Sequence, residues 1–454
     1  MSMIDNTVLK SELSKGVDKD LLPTDPDDRV YGHVSYAASF MGGCVSIGTF
    51  SMGASLIGAL TVAQAILAMT IGCIVIAIAL AVIGKCGQKY GIGFSVQMRS
   101  SFGTTGVKVP GVLRGLPAIV WFGYQSWVGA GAINSCLKIL FNFDHLIIIY
   151  LLFTILQVAL AMNGFEGIKW LENISCVFII AILIYMLYVV NTQFSAELGT
   201  YFSGIEGTWG MTFWAATTSF LGIYSTMIIN ASDYSRNLNR GISAKMTGSL
   251  YTVAILPVTL FMGLIGLLVT AATGNSDPVT VFSTLMGSKV LTVVTLLFIA
   301  FAQVSTNVLN NIVPPSYILM ESFHLKWKIA APLVGILSMC CMPWKLVTEE
   351  SAAGLSLFTQ FYSAFLGPIF AVMAVDYYIL RKQKLDINDM YDKQGCFKGI
   401  NWAAIIAIVI GSVCSLFIMD LSWYVSLIPT GVVYYILMKV LPSSASFRKG
   451  TIFE

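Results

Sequence analysis

Residues 298–315 read Phe-Ile-Ala-Phe-Ala-Gln-Val-Ser-Thr-Asn-Val-Leu-Asn-Asn-Ile-Val-Pro-Pro, setting Gln303, Ser305, Thr306, Asn307, Asn310 and Asn311 inside an apolar run. An unpaired amide or hydroxyl in hydrocarbon costs roughly 2–7 kcal/mol. A helix with these residues therefore faces protein, an ion or a water-filled cavity rather than lipid. Positions 302, 305 and 306 share one helical face, and Asn310 follows one turn beyond Thr306. Serine and threonine hydroxyls are hard oxygen donors suited to a small hard cation. The same residue types also join membrane helices by hydrogen bonds, and both roles stay open at this point.

A second polar pair lies in residues 117–130, Pro-Ala-Ile-Val-Trp-Phe-Gly-Tyr-Gln-Ser-Trp-Val-Gly-Ala. Trp121 and Gln125 are i, i+4 neighbours on one helical face. An indole with a carboxamide one turn away can stack on a planar heterocycle and bond its amide edge. Tryptophan also lines membrane interfaces, but Trp121 falls about ten residues into its apolar run, at mid-membrane depth. Gln125 serves equally as a ligand contact or as a bond between helices.

The elements that must hold these residues are membrane helices. The chain has 454 residues, 56% hydrophobic and 11% charged, with a mean hydropathy of +0.79. Soluble domains carry about 25% charged residues. Twelve apolar runs stand at roughly 33–57, 62–84, 112–138, 145–163, 173–190, 209–231, 243–271, 290–313, 328–346, 352–378, 401–419 and 422–440. Each approaches or exceeds the about 20 residues that cross a hydrocarbon core. Of the 26 lysines and arginines, all but Lys138, Lys289 and Lys345 fall on one side of this arrangement, which the positive-inside rule makes the cytoplasm, with both termini there. The expected organisation is a tail at 1–31, a transport core at 32–378, a cytoplasmic loop at 379–400, two further spans at 401–440 and a tail at 441–454.

Two runs read as broken helices. The first holds Gly42, Gly43 and Gly48, and the sixth holds Gly222. Interrupted segments in matching positions of two halves point to inverted repeats. The expected fold is thus all-α: twelve transmembrane helices, a five-plus-five inverted repeat and two appended helices.

The charges exclude several classes. No Asp, Glu, Lys or Arg is expected at mid-span; Lys245 and Asp376 sit at inner ends, and Arg114 is counted with the inner loops. A carboxylate-driven pump or acid-lined channel needs what is missing, so a neutral substrate fits better. The nine cysteines and three histidines form no CxxC pair and no metal-ligand spacing. No nucleophile beside a base, phosphate loop or basic patch with aromatics is visible, so neither an enzyme nor a nucleic-acid partner is expected.

Five stretches together resemble the nucleobase–cation symport-1 family, whose members carry nucleobases, hydantoins and allantoin. They are Asp-Leu-Leu-Pro at 20–23, Gln-Met-Arg-Ser-Ser-Phe-Gly at 97–103, Trp121 to Gln125, Asn-Ala-Ser-Asp-Tyr-Ser-Arg at 230–236, and Ser-Thr-Asn-Val-Leu-Asn-Asn at 305–311. The resemblance implies a neurotransmitter-transporter-like fold with alternating access. It implies that Trp121 and Tyr224 stack on the substrate's two faces while Gln125 and Asn311 bond its polar edge. It also implies a coupling cation held by backbone carbonyls near Cys44, Ile47 and Ala302 and by the hydroxyls of Ser305 and Thr306. Those hydroxyls favour sodium, with a proton as the alternative, and no other cofactor is implied. Tyr224 stands where the hydantoin branch has tryptophan, and Gly48 where it has a side-chain amide within the substrate site. These departures leave room for allantoin or a purine.

The expected function is import of a neutral planar nitrogen heterocycle, such as a purine, cytosine, uracil, allantoin or hydantoin, across the plasma membrane by cation symport. Rival readings are a transporter of this fold for an amino acid or quaternary ammonium compound, and a sensor that binds without transporting.

Overall fold

Apolar runs in lipid leave backbone polar groups no partner except their own chain, and a helix satisfies them locally. The computed structural model describes residues 21–44, 46–163, 166–239, 243–346, 351–392 and 394–454. In chain order the helices are α1 (His33–Cys44), α2 (Ile47–Ala54), α3 (Val62–Tyr90), α4 (Phe94–Gln97), α5 (Arg99–Phe102), α6 (Lys108–Phe141), α7 (Leu146–Asn163), α8 (Glu166–Gln193), α9 (Ser195–Ser203) and α10 (Met211–Ile229). They continue as α11 (Ala231–Ser235), α12 (Ala244–Thr273), α13 (Pro278–Leu285), α14 (Lys289–Asn307), α15 (Val313–Phe323), α16 (Trp327–Cys340), α17 (Ser351–Ala374), α18 (Ile387–Tyr391), α19 (Trp402–Leu416) and α20 (Ser422–Val440). A π-helical turn, Val308–Ile312, joins α14 to α15, and another, Val375–Leu380, extends α17. Among the described residues, β-pairing is limited to one isolated bridge between Tyr31 and Leu238.

Local signals set the ends of the long helices. Before α3, the Thr61 hydroxyl accepts from the Gln64 backbone N–H while Gln64 Oε1 accepts from the Thr61 N–H, a reciprocal capping box. Gly91 (φ 76°) ends α3 and Gly274 (φ 70°) ends α12, both in the left-handed region that glycine adopts at no steric cost. Among the described residues, four helical stretches are by themselves long and apolar enough to cross a membrane: Val62–Tyr90, Met246–Thr273, Gly354–Leu380 and Met419–Val440. Ile180–Gln193 with Ser195–Ser203, bent by 79°, makes a fifth if counted as one span.

The first expected break is present. The chain leaves helix at Cys44 and resumes at Ile47, where the Ser46 hydroxyl caps α2 by accepting from the Gly48 N–H at 3.1 Å. The sixth run differs from expectation. Helix α10 is continuous through Gly222 and ends only at Ile229. Gly222 instead permits close packing, because a Cβ there would lie 2.8 Å from Thr359 Cβ. Glycine serves the site again where α2 meets α12: a Cβ on Gly53 would lie 1.9 Å from the Gly263 carbonyl oxygen, and one on Gly266 2.1 Å from that of Phe50. Small residues bring membrane helices into such backbone contact, and this one seats α2 firmly.

One charge counted with the inner loops, Arg114, lies within a helix instead. Helix α6 begins at Lys108, ahead of the expected run, and Arg114 within it is fully buried. At the end of α17, Asp376 and Arg381 form a buried ion pair at 2.8 Å. Tyr434 and Ser100 hydroxyls donate to Asp376 at 2.9 and 3.1 Å. Arg381 donates to the carbonyls of Phe447 (2.9 Å) and Lys449 (2.7 Å). The described parts of both expected tails therefore pack on the bundle: the Thr24 N–H bonds the Gly91 carbonyl at 2.8 Å, and the Ile452 N–H that of Leu380 at 2.9 Å. The rest of the first tail, 1–20, lies outside the described residues.

Candidate substrate and ion site

The π-turn Val308–Ile312 follows from the two prolines after it. In an α-helix the N–H groups of residues 314 and 315 would bond the carbonyls of 310 and 311, but Pro314 and Pro315 have none. The Val313 N–H bonds the Val308 carbonyl, five residues back. The freed Asn310 carbonyl accepts from Arg114 Nη2 at 3.3 Å. Widening the turn adds one residue, so Thr306, Asn310 and Asn311 all line one cavity. An unbroken helix would place position 311 about 100° further round than 310.

The other walls of this cavity are Ser46 at the cap of α2 and Thr49 within it, Trp121 and Gln125 on α6, and Ile223, Tyr224, Thr226 and Met227 on α10. The structure thus brings Trp121, Gln125, Tyr224, Asn311 and Thr306 together. Gly48 does not line the cavity. It lies under Trp121, where a Cβ would sit 2.9 Å from Cζ3 of the indole. Cys44, Ile47 and Ala302 are buried, and the Ser305 side chain lies outside the described residues.

Trp121 is held from α17, which is itself tied to α10. Its Nε1–H donates to the Tyr362 hydroxyl at 3.1 Å, which donates to the Gly222 carbonyl at 2.8 Å. Phe358 packs on both rings, 4.9 Å from Tyr362 and 6.3 Å from Trp121 between centroids. Sequence reading missed this support from α17, as it missed Ser46, Thr49 and Thr226. The Tyr224 hydroxyl bonds Thr259 at 2.8 Å.

Behind Asn311 runs a buried amide chain whose direction is set by a backbone carbonyl. Asn307 Nδ2 donates to the Phe122 carbonyl at 3.0 Å, which has no donor form, and lies 3.0 Å from Ser126 Oγ and 2.9 Å from Gln157 Oε1. Asn307 Oδ1 must then accept, and it does so from Asn311 Nδ2 at 2.8 Å. Asn311 Nδ2 also reaches Gln125 Oε1 at 3.4 Å, and Gln125 Nε2 reaches Ser46 Oγ at 3.5 Å. The Asn311 carbonyl oxygen and the Gln125 amino group remain to serve the cavity. An acceptor beside a donor complements the N–H and C=O of a cyclic amide.

The cavity measures about 30 Å³, room for on the order of two waters. A heterocycle enters only if the walls part, so this conformation is nearly closed around the site.

The family described as permease for cytosine/purines, uracil, thiamine and allantoin matches residues 23–437. A hydantoin permease of Microbacterium maritypicum is 25% identical, over 89% of this chain and 85% of its own. An allantoin permease of Bacillus subtilis is 27% identical, over 94% of each. Among solved structures, Mhp1, a nucleobase–cation-symport-1 family transporter in a closed conformation with bromovinylhydantoin bound, superposes with a TM-score of 0.84 at 23% identity, covering 96% of this chain and 99% of that one. A sodium-coupled sialic acid symporter has the same architecture more distantly, with a TM-score of 0.67 at 12% identity and coverage of 97% and 98%.

Proposed function

The chain belongs to the family of permeases for cytosine/purines, uracil, thiamine and allantoin, and on that premise we propose that it imports a neutral cyclic amide or ureide by cation symport. It is a membrane transporter and not an enzyme. The observation that carries the substrate class is the paired acceptor and donor of Asn311 and Gln125 beside the Trp121 indole. Relatives named as hydantoin, allantoin and purine–uracil permeases support it, since hydantoin, allantoin and uracil each include a ring N–H beside a carbonyl.

In this reading the chain spans the plasma membrane twelve times with both termini in the cytoplasm, ten spans forming a five-plus-five repeat. The sidedness of lysine and arginine supports the orientation, and the likeness to Mhp1 supports the architecture. Sodium is the preferred coupling ion, held between the break of α1 and α2 and the face of α14 that carries Thr306, with a proton as the alternative. Substrate enters between Trp121 and Tyr224 when the walls part, and rocking of helix groups exposes it to the cytoplasm. Coupling requires each ligand to raise the other's affinity, typically by 1–3 kcal/mol.

Thermal stabilisation of the purified protein tests this. Uracil, hypoxanthine, allantoin and hydantoin are each added with and without sodium. A ligand at about 100 times its dissociation constant stabilises by about 2.7 kcal/mol. Stabilisation by a cyclic amide, strengthened by sodium and weakened in Thr306→Ala, is expected. Silence for every heterocycle, with a response to amino acids or betaine, refutes the assignment.

A further inference from the structure

Thr49 stands apart among the groups around the cavity. Its side chain is fully buried, it lines the cavity, and among the described residues its hydroxyl makes no hydrogen bond, its interaction with the Tyr224 hydroxyl falling outside hydrogen-bond geometry. Its neighbours at the cap of α2 and within it are engaged: Ser46 Oγ with the Gly48 N–H, and Ser51 Oγ with the Tyr124 hydroxyl at 3.1 Å. The Tyr224 hydroxyl is bonded to Thr259 at 2.8 Å and does not meet Thr49 with hydrogen-bond geometry. Nor can Thr49 readily move to find a partner, because Gly53 and Gly266 lock α2 against α12 by backbone contact. Valine has nearly the same shape and would remove the orphaned hydroxyl. An unsatisfied buried hydroxyl costs about 1–3 kcal/mol, so its presence calls for a partner that comes and goes.

We propose that Thr49 is a further substrate contact and a determinant of specificity, bonding a second polar group of the ligand on a wall different from that of Gln125 and Asn311. This rests on the cyclic-amide reading of the same cavity and narrows it. The preferred ligand carries two polar edges, as a dione or ureide does, and a ring with a single amide leaves Thr49 unanswered.

The test is a cycle of ligand change against residue change in the purified full-length protein. Uracil and hydantoin are each compared with a one-carbonyl analogue, 2-pyridone and 2-pyrrolidinone, on wild type, Thr49→Val and Thr49→Ser. Loss of one hydrogen bond to a neutral group corresponds to about a tenfold loss in affinity. Thr49→Val is expected to lose about tenfold for the diones and nothing for the analogues, while Thr49→Ser keeps wild-type preference. Ligand-free Thr49→Val is expected to melt no lower than wild type, since it loses no internal bond. Unchanged dione affinity in Thr49→Val overturns the proposal. So does a lower ligand-free melting point, which would mean that the hydroxyl is satisfied within the protein. Failure of wild type to bind any of the four compounds refutes the cyclic-amide reading itself, and is thereby distinct from failure at Thr49 alone.

Discussion

Cζ3 of Trp121 lies 2.9 Å from the point at which a side chain on Gly48 would begin. Real Cβ contacts are not that short, so Gly48→Ala must push the indole away or shift α2. The α2 helix is held by its glycine contacts with α12, and Trp121 is held by Tyr362. The indole edge gives way, at the cost of the Tyr362 bond. Gly48→Ala should weaken heterocycle binding by about tenfold, the equivalent of one lost neutral hydrogen bond. Ligand titration followed by tryptophan fluorescence checks this; unchanged affinity would show that the indole has slack.

The π-turn depends on two missing N–H groups, so Pro314→Ala with Pro315→Ala should restore ordinary helix through 310–315. Overall stability should not fall, because proline inside a helix costs about 3 kcal/mol and that strain is relieved. Binding should fall by at least about tenfold as Asn311 turns off the cavity wall. A melting curve beside a binding curve separates the two effects.

This turn also shows where the sequence stopped being legible. Residue type marked Thr306, Asn310 and Asn311 as polar positions facing protein, and helical periodicity put Thr306 and Asn310 on one face. Only the five-residue turn adds Asn311 to that face, and its cause stood in the text as Pro314-Pro315. The first helix break was legible from its glycines. Gly222 carried the same signal and meant close packing against Thr359, because a missing side chain does not say whether it serves a bend or a neighbour. Arg114 was read as a loop charge because the apolar run begins beside it. Its partners, Asn230 and the Asn310 carbonyl, come from distant helices. Phe358 and Tyr362 had no local mark, since their role lies in what they touch.

Asn307 should matter more for stability than for contact with ligand. Asn307→Leu leaves the Gln157 side-chain carbonyl oxygen without a donor and weakens the bonding of Asn311, at about 1–3 kcal/mol for a group left unpaired. The expected result is a clear drop in melting temperature. Asn311→Ala, at the open end of the same chain, should lower binding with a smaller thermal effect. Equal thermal losses in both variants would show that the chain has no direction.

Removing one member of the Asp376–Arg381 pair should be costly, because it strands a buried charge. Arg381→Met is expected to destabilise by about 3–5 kcal/mol, and the double variant Asp376→Asn with Arg381→Met by less. Chemical denaturation in detergent checks the order. A double variant worse than Arg381→Met would mean that the pair's own attraction outweighs the burial of its charges.

Cys396 lies in the loop between α18 and α19, and its thiol is pushed up to about 11 by burial and by the neighbouring Asp389 carboxylate. At pH 7.5 it is almost wholly protonated, and the thiolate is the reactive form. In a variant keeping Cys396 as its sole cysteine, maleimide labelling should be slow and should accelerate as pH rises from 7 towards 9. Asp389→Asn should raise the rate by removing the carboxylate that opposes thiolate formation. No change in rate would assign the slowness to access alone.

The Arg381 guanidinium takes acceptors from residues 66 and 68 positions later in the chain. During synthesis, Asp376 and Arg381 emerge well before Phe447 and Lys449, with α19 and α20 still to be made and inserted. Until those two carbonyls arrive, the C-terminal end of α17 carries donors without their final partners. The helix that presents Tyr362 to Trp121 is therefore finished only when a later segment closes over its base. Support for the Trp121 indole is in this sense tied to the last residues of the chain, and substitutions at 447–449 are expected to loosen it from a distance.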